Sequence, residues 1–310
     1  MPDKALRLKR AGMRNTRPVM LAVAGDSAAG KTTLVKGLVK ALGEERVTAV
    51  CVDDYHRYDR VERKGLPFTP LHPDCNYMDI MAQHLQLLAT GQPVLKPVYD
   101  HCSGQLVRPE LVEPREFVII EGLLPLHSKL LRACFDVAVY LDPPEDIRVG
   151  WKLGRDTSKR GYDEAQVRSE LVRREPESAE HIRPQREHAD IVVRFAPVVG
   201  HDDPQTPLSA ELLLRPTIRH PDLSSVLSET RSSAMHLKMI RDGDGRPVDA
   251  LHVHGYVARP EITQLEQAIW AELDLPMPLP KALGDAGGGV RSEPLAITQL
   301  LLLGHLLRAA

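Results

Sequence analysis

The apolar run Val19-Met20-Leu21-Ala22-Val23-Ala24 breaks into Gly25-Asp26-Ser27-Ala28-Ala29-Gly30-Lys31-Thr32 and resumes as Thr33-Leu34-Val35-Lys36-Gly37-Leu38-Val39-Lys40. The first run is short and continuously apolar, as a strand buried on both faces must be, and the last has helical spacing. Between them stands a G-x-x-x-x-G-K-[ST] loop in the strand–loop–helix setting that gives it meaning. Gly25 and Gly30 let the backbone wrap closely. The N–H groups of Asp26, Ser27, Ala28, Ala29 and Gly30, with Thr33 in the first helical turn, can then converge on a phosphate chain. Lys31 supplies a mobile charge for the β- and γ-phosphates, and the Thr32 hydroxyl suits Mg²⁺. The bland alternative is a tight glycine turn between a strand and a helix.

The rest of the chain narrows the setting. Its 310 residues suffice for a large core, and a formal charge of −2 offers no general attraction to nucleic acid or to acidic membranes. Cys51, Cys75, Cys102 and Cys134 show no metal-ligand spacing, which fits a reducing, cytoplasmic setting without disulfides. The basic leader 1–17 lacks the apolar core of a signal peptide and reads as a mobile arm. The leucine-rich end around Leu300-Leu301-Leu302-Leu303 is too short and interrupted to span a membrane; it reads as a buried helix or an oligomer contact.

Strand and helix signals alternate from residue 18 to about 195. Strands are expected at 19–24, 46–52, 117–120, 137–141 and 190–195, and helices at 31–42, 78–89, 144–160 and 164–174. This predicts an α/β fold, a mostly parallel sheet flanked by helices. The Pro/Asp/Gly-rich stretch 196–207 reads as a boundary. Beyond it come strands at 208–214, 235–240 and 250–257, a helix at 260–273, a loose glycine-rich linker at 284–289 and a last helix. The expected organisation is a basic arm (1–17), a kinase-like core with a lid (18–198) and an α+β extension (199–310) that continues the sheet with antiparallel strands.

Three further features carry chemistry. The second strand runs into Asp53-Asp54-Tyr55-His56, and ligands in open α/β sheets bind beyond the carboxyl ends of strands. Asp53 is therefore the candidate base for a hydroxyl acceptor; a turn-capping Asp is the alternative. Glu121 comes after four apolar residues at the end of another strand and suits the coordination shell of a hard cation. Lys152, Asp156 and Arg160 share one helical face ahead of Gly161, as a hinged lid bringing cations to a triphosphate would require. A solvated, ion-paired helix face is the alternative. His252 and His254 share a strand face, with no third ligand nearby in sequence.

Together these residues resemble the phosphoribulokinase/uridine kinase family of P-loop kinases over about residues 18–195, and within it the plant and cyanobacterial type. The segments that carry the resemblance are Asp53-Asp54-Tyr55-His56 with Asp59-Arg60, Lys96-Pro97-Val98-Tyr99-Asp100-His101 with Gly104, Ile120-Glu121-Gly122-Leu123 with Pro125, Arg155-Asp156 with Arg160-Gly161, and Pro184-Gln185 with Ala189-Asp190. The resemblance implies ATP and Mg²⁺ as cofactors, with Arg155 joining the phosphate loop at the nucleotide and Thr32 and Glu121 at the metal. It implies Asp53, Lys31 and Arg160 as catalytic residues. His56, Arg60, Tyr99, His101, Lys152, Asp156, Arg173 and Arg174 would bind a sugar phosphate, ribulose 5-phosphate in the first reading. It also implies a homodimer through the C-terminal region, whose role would be sheet extension and dimerisation rather than chemistry.

Two departures stand out. Plant-type members carry a cysteine within the phosphate loop that pairs with one before the Asp-Asp-Tyr-His segment. Here the loop has Ala29 and only Cys51 remains, so a thiol switch through that pair is not expected. His72-Pro73-Asp74 is instead reminiscent of uridine kinases. A uridine/cytidine kinase, or a kinase of another small sugar phosphate, therefore stands as the second reading, and a catalytically silent nucleotide-binding regulator as the third.

Overall fold

Strand β1 (Val19–Gly25) is buried along its whole length, and its pleat divides the core. The computed structural model describes residues 17–197, 207–229, 234–275 and 277–310, without the side chains of Lys159 and Arg160. The arm 1–16 and most of the expected boundary at 196–207 lie outside the described residues. From β1 the chain enters α1 (Lys31–Leu42), β2 (Val47–Cys51) and α2 (Met78–Ala89). A hairpin of β3 (Val94–Asp100) and β4 (Gln105–Val112) comes next, then β5 (Phe117–Gly122), α3 (Lys129–Arg132) and β6 (Val137–Leu141). After these lie α4 (Glu145–Arg160), α5 (Glu164–Glu177), β7 (Ile191–Ala196), β8 (Ser209–Leu214), α6 (Ser224–Glu229), β9 (Met235–Arg241) and β10 (Pro247–Val253). Helix α7 (Arg259–Leu273), the short strands β11 (Asp285–Gly287) and β12 (Val290–Arg291), and α8 (Glu293–Ala309) complete it.

The main sheet has the order β2-β5-β1-β6-β7-β8-β10-β9. The first five strands are parallel, with Val19 beside Phe117 and Val139 beside Ile191. From β7 onward each pairing is antiparallel. Period-two alternation puts Leu21 and Val23 of β1 against α1, α7 and α8, and Met20 against Met81 and Leu85 of α2. Each such side chain contributes about 1.5–3 kcal/mol by leaving water. The α/β class, the mostly parallel sheet and its antiparallel extension thus match the sequence expectation.

Three features go beyond what the spacing of residues predicts. The β3–β4 hairpin forms its own two-stranded sheet, and nearly all of β4 is exposed, so it has no alternating apolar signal to find. The expected linker at 284–289 is the β11–β12 hairpin, turned by Gly287, Gly288 and Gly289, all at positive φ. Its Gly284 N–H donates to Gln299 Oε1 at 2.8 Å, while Gln299 Nε2 donates to the Leu34 carbonyl of α1 at 3.2 Å. Finally, the C-terminal strands are tied to the core by a buried ion cluster. Asp242 takes hydrogen bonds from Arg186 (2.8 Å) and Arg215 (2.9 Å), and Arg186 also donates to Asp142 at 2.9 Å.

Candidate active site

The phosphate loop leaves β1 at Gly25, whose φ is 148°, and enters α1 through Gly30 at φ 96°. A Cβ on Gly25 would sit 2.8 Å from the Leu141 carbonyl oxygen of β6, so conformation and space both demand glycine there. Ala28 holds φ 67°, a left-handed position costing a non-glycine residue about 1 kcal/mol. It is the kind of local strain met in anion nests. Lys31 is buried and donates to the Gly25 and Asp26 carbonyls at 2.9 and 2.8 Å. Asp26 braces the loop through its side chain: its carboxylate accepts from Ser27 N at 2.5 Å and from the Ser178 hydroxyl, and faces Arg148 at 3.5 Å. Arg155 reaches the Ser27 hydroxyl at 3.4 Å, and Arg148 the Ser27 carbonyl at 3.1 Å.

The loop floors a cleft of about 710 Å³. Its lining includes Asp53, Glu121, Cys51 and His101. Thr32 Oγ1 donates to Glu121 Oε2 at 3.1 Å, and burial, only partly offset by Lys31 and Thr32, raises the Glu121 carboxyl above its ordinary range. Asp53 accepts the Leu123 N–H at 3.3 Å. This approach needs Gly122, where a Cβ would lie 2.3 Å from a Val52 methyl and 3.0 Å from Asp53 Oδ1. Burial, with Asp53 and Glu121 nearby, pushes the Cys51 thiol up, so it stays protonated and unreactive.

Beside Asp53 lies a buried side-chain cluster assembled from distant segments. Asn76 Nδ2 donates to the Pro70 and His72 carbonyls at 3.1 and 2.9 Å, which turns its Oδ1 toward His56 Nδ1 at 2.7 Å. The His56 Nδ1–H must donate, leaving Nε2 as an acceptor in the neutral ring. Burial brings the His56 pKa down to about 4, so the ring is neutral near pH 7. Tyr99 packs edge-on against His56 (4.8 Å between centroids) and His101 (5.1 Å). The Arg63 guanidinium lies 4.9 Å over the Tyr99 ring and bonds its hydroxyl, while Arg63 Nη1 is buried with no hydrogen-bond partner among the described residues. Asp54 anchors the hairpin through Lys96 and the Tyr99 N–H (3.2 Å).

The structure thus gathers Asp53, His56, Tyr99 and His101. Arg60 is close by but spends its guanidinium on the His101 (2.5 Å) and Cys102 (3.4 Å) carbonyls of the hairpin turn. Of the lid set, Arg155 lines the cleft with the phosphate loop, whereas Lys152 and Arg174 line a separate recess beside Asp26 and Ser27. Lys152 and Asp156 are buried and paired at 2.8 Å, and Arg155 holds the other Asp156 oxygen at 2.8 Å. Burial alone would raise the Asp156 carboxyl; the hydrogen bonds from Arg155 and Lys152 outweigh it and bring it down to about 2. Lys152 and Arg174 share a recess with Asp26 and Arg148, Arg174 pairs with Glu170 at 2.8 Å, and Arg173 is exposed. The Arg160 side chain lies outside the described residues. Gly161 does stand between α4 and α5 in the left-handed conformation, as a hinge would.

Sequence reading missed Arg63, Asn76 and Gly122. Arg63 sits in a run of charges with no pattern, and Asn76 acts across a bridge between His56 and Asn76 that no local spacing reveals. Gly122 carried a signal, a glycine directly after a strand carboxylate. The pair His252 and His254 gains His236, stacked 4.6 and 4.9 Å away. Even so, no group of three His, Cys, Asp or Glu among the described residues is arranged to hold a metal.

Comparison with known proteins bears on the family and the fold. Phosphoribulokinase from a Synechocystis strain is 39% identical over 192 residues, covering 62% of this chain and 58% of that one. The chloroplastic phosphoribulokinase of Spinacia oleracea is 32% identical over 204 residues, 60% of this chain and 51% of its own. A uridine kinase from Chloroflexus aurantiacus is 30% identical over 184 residues, 57% of this chain and 87% of its own. The chain thus spans little more than half the length of these two phosphoribulokinases. The solved phosphoribulokinase from Rhodobacter spheroides shares the fold, with TM-score 0.59 and 16% identity over 81% of this chain and 95% of that one. The model of the phosphoribulokinase/uridine kinase family matches residues 20–201, and the chain belongs to that family.

Proposed function

We propose that the chain transfers the γ-phosphoryl group of ATP to O1 of D-ribulose 5-phosphate, giving ADP and ribulose 1,5-bisphosphate. The observation that carries this reading is Arg63 Nη1, a buried cationic donor without a hydrogen-bond partner among the described residues, on a guanidinium beside His56, Tyr99 and the Cys75 thiol. A buried unpaired donor is unfavourable, and a phosphate oxygen on the acceptor would satisfy it with a charge-assisted bond. A neutral nucleoside could offer it only a carbonyl or hydroxyl oxygen, a weaker partner than a phosphate because it lacks the opposite charge. The identities lean the same way, 39% to a phosphoribulokinase against 30% to a uridine kinase.

In this mechanism Asp53, oriented by the Leu123 N–H, takes the proton from the O1 hydroxyl as that oxygen bonds to the γ-phosphorus and the bond to the β-bridging oxygen breaks. Neutral His56 accepts a second acceptor hydroxyl at Nε2. Lys31 exchanges the loop carbonyls for β- and γ-phosphate oxygens, and Arg155, with Arg160 from the lid, adds charge where it develops. The Thr32 hydroxyl and Glu121 carboxylate are hard oxygen donors 3.1 Å apart, and a carboxylate raised by burial gains from a cation. They would hold Mg²⁺ together with phosphate and water oxygens, and the ion would neutralise charge on the transferring group.

Arg63→Met tests the reading through initial rates of ADP release. The KM for ribulose 5-phosphate should rise about ten-fold or more, the loss of one charge-assisted bond, with ATP affinity unchanged. An unchanged KM, or no turnover of ribulose 5-phosphate by the parent chain, sinks it. The proposed dimer would use the C-terminal region, where edge strand β9 exposes Leu237 and Met239; light scattering would measure it. Among the described residues no helix is long and apolar enough to cross a membrane.

A further inference from the structure

Helix α5 runs without a break into a π-helical turn (Ser178–Ile182) and then a 3-10 turn (Arg183–His188). Pro176 lies just ahead of the change and removes an N–H donor from the helix. A π-turn re-aims the side chains of a helix and is met frequently at functional sites. Along this stretch three side chains each hold a different working segment. Glu177 accepts the Thr69 N–H at Oε1 (2.7 Å) and the Thr69 hydroxyl at Oε2. The Ser178 hydroxyl donates to Asp26 of the phosphate loop. Gln185 donates to the Leu123 carbonyl at 2.7 Å and accepts the Leu126 N–H at 2.9 Å, next to the Leu123 N–H that orients Asp53.

The Glu177 contact leads to the acceptor cluster. Thr69 is buried, and its hydroxyl and carbonyl oxygens accept the Leu71 N–H (3.3 Å) and the His72 N–H (3.0 Å). The carbonyls of Pro70 and His72 in that turn are the ones that hold Asn76, and Asn76 fixes His56. The line therefore runs from Glu177 through Thr69, the turn 70–72 and Asn76 to His56. The Cys75 thiol, which contacts Arg63, also feels the charges of Glu177 and Arg174, so the end of α5 lies against the same cluster. A carboxylate that takes both donors of one residue makes two charge-assisted bonds and fixes orientation as well as distance.

We propose that Glu177 is a positioning residue for the acceptor: by gripping Thr69 it sets the 69–76 segment and, through Asn76, the His56 ring, while its neighbour Ser178 serves the nucleotide through Asp26. This rests on the kinase reading and deepens it. Glu177 acts without touching either substrate.

Initial rates of ADP release with ribulose 5-phosphate, beside calorimetric ATP binding, test this on the full chain. Glu177→Gln keeps the shape but offers one acceptor oxygen to two donors. Acceptor KM should rise about ten-fold, the loss of one charge-assisted bond, with ATP affinity within about two-fold of the parent's. Thr69→Val should do the same, and the double variant should be no worse than either, since both changes remove one interaction. Thr69→Ser, which keeps both donors, should restore the KM of the parent. Ser178→Ala should show the reverse split, weaker ATP binding at an unchanged acceptor KM. An unchanged acceptor KM in Glu177→Gln and Thr69→Val, additive effects in the double variant, or equal weakening of both substrates overturns the positioning role alone. A parent chain that binds ATP but leaves ribulose 5-phosphate unphosphorylated overturns the acceptor reading and this inference with it.

Discussion

The phosphate loop and the side-chain cluster around His56 are built in opposite ways. The loop is nine consecutive residues, 25–33, whose function lies in backbone N–H groups and in glycine conformations. The cluster joins His56, Arg63, Asn76, Tyr99 and His101 through side-chain hydrogen bonds and ring contacts across more than one element. The difference teaches where each is vulnerable. Added atoms damage a backbone cradle, whereas removed atoms damage a side-chain cluster.

The largest effect should separate chemistry from binding. Asp53→Asn keeps the shape but removes the base, so kcat should fall by about 10³–10⁴ while ATP affinity, by calorimetry, holds. Loss of ATP binding instead would erase the distinction between the two sides. Next comes the loop. Gly25→Ala places a methyl against the Leu141 carbonyl at a positive φ and should weaken nucleotide binding about 100-fold, as ~3 kcal/mol of strain implies. A tolerated alanine would mean the cradle is not set by its backbone.

Asn76→Ala probes the cluster by deletion. It removes the Nδ2 bonds to two carbonyls and the Oδ1 partner of His56, so the ring is free to turn. Acceptor KM should rise about ten-fold with nucleotide affinity unchanged, and urea unfolding should show a loss of about 2 kcal/mol. Equal effects on both substrates would break the comparison. A subtler effect is acid sensitivity shared by the cluster and the C-terminal helix. Burial brings both His56 and His305 down to about 4. Below pH 6.5 the unfolded chain takes up protons that these folded sites refuse, so stability is full above that pH and is lost as pH falls toward 4. At pH 5 each contributes a loss of about 2 kcal/mol, and His305→Gln should remove the C-terminal share. A urea midpoint independent of pH between 7 and 5 would contradict this.

The same contrast explains what could be read from sequence. Elements with continuous apolar runs or clean helical spacing, such as Val137–Leu141, Lys31–Leu42 and Met78–Ala89, were legible to the residue. So was the phosphate loop, because its chemistry is local. The β3–β4 hairpin lies off the main sheet with an exposed strand and was readable only by resemblance. Arg63 and Asn76 act through partners brought close by folding, and nothing in their neighbours' spacing announces it. The tie between the C-terminal helix and α1 was hidden for a related reason: the placement of Gln299 between α1 and the hairpin depends on a glycine in another helix, Gly37.

The central claim is that the cluster beside Asp53 is made for a phosphorylated acceptor. Ribulose 5-phosphate and uridine at equal concentration, supplied together with Mg·ATP, let the purified chain choose, and ³¹P NMR identifies the product. The account predicts a sugar bisphosphate with its new phosphate on O1 and no nucleoside monophosphate. Accumulation of uridine monophosphate in place of the bisphosphate would contradict it.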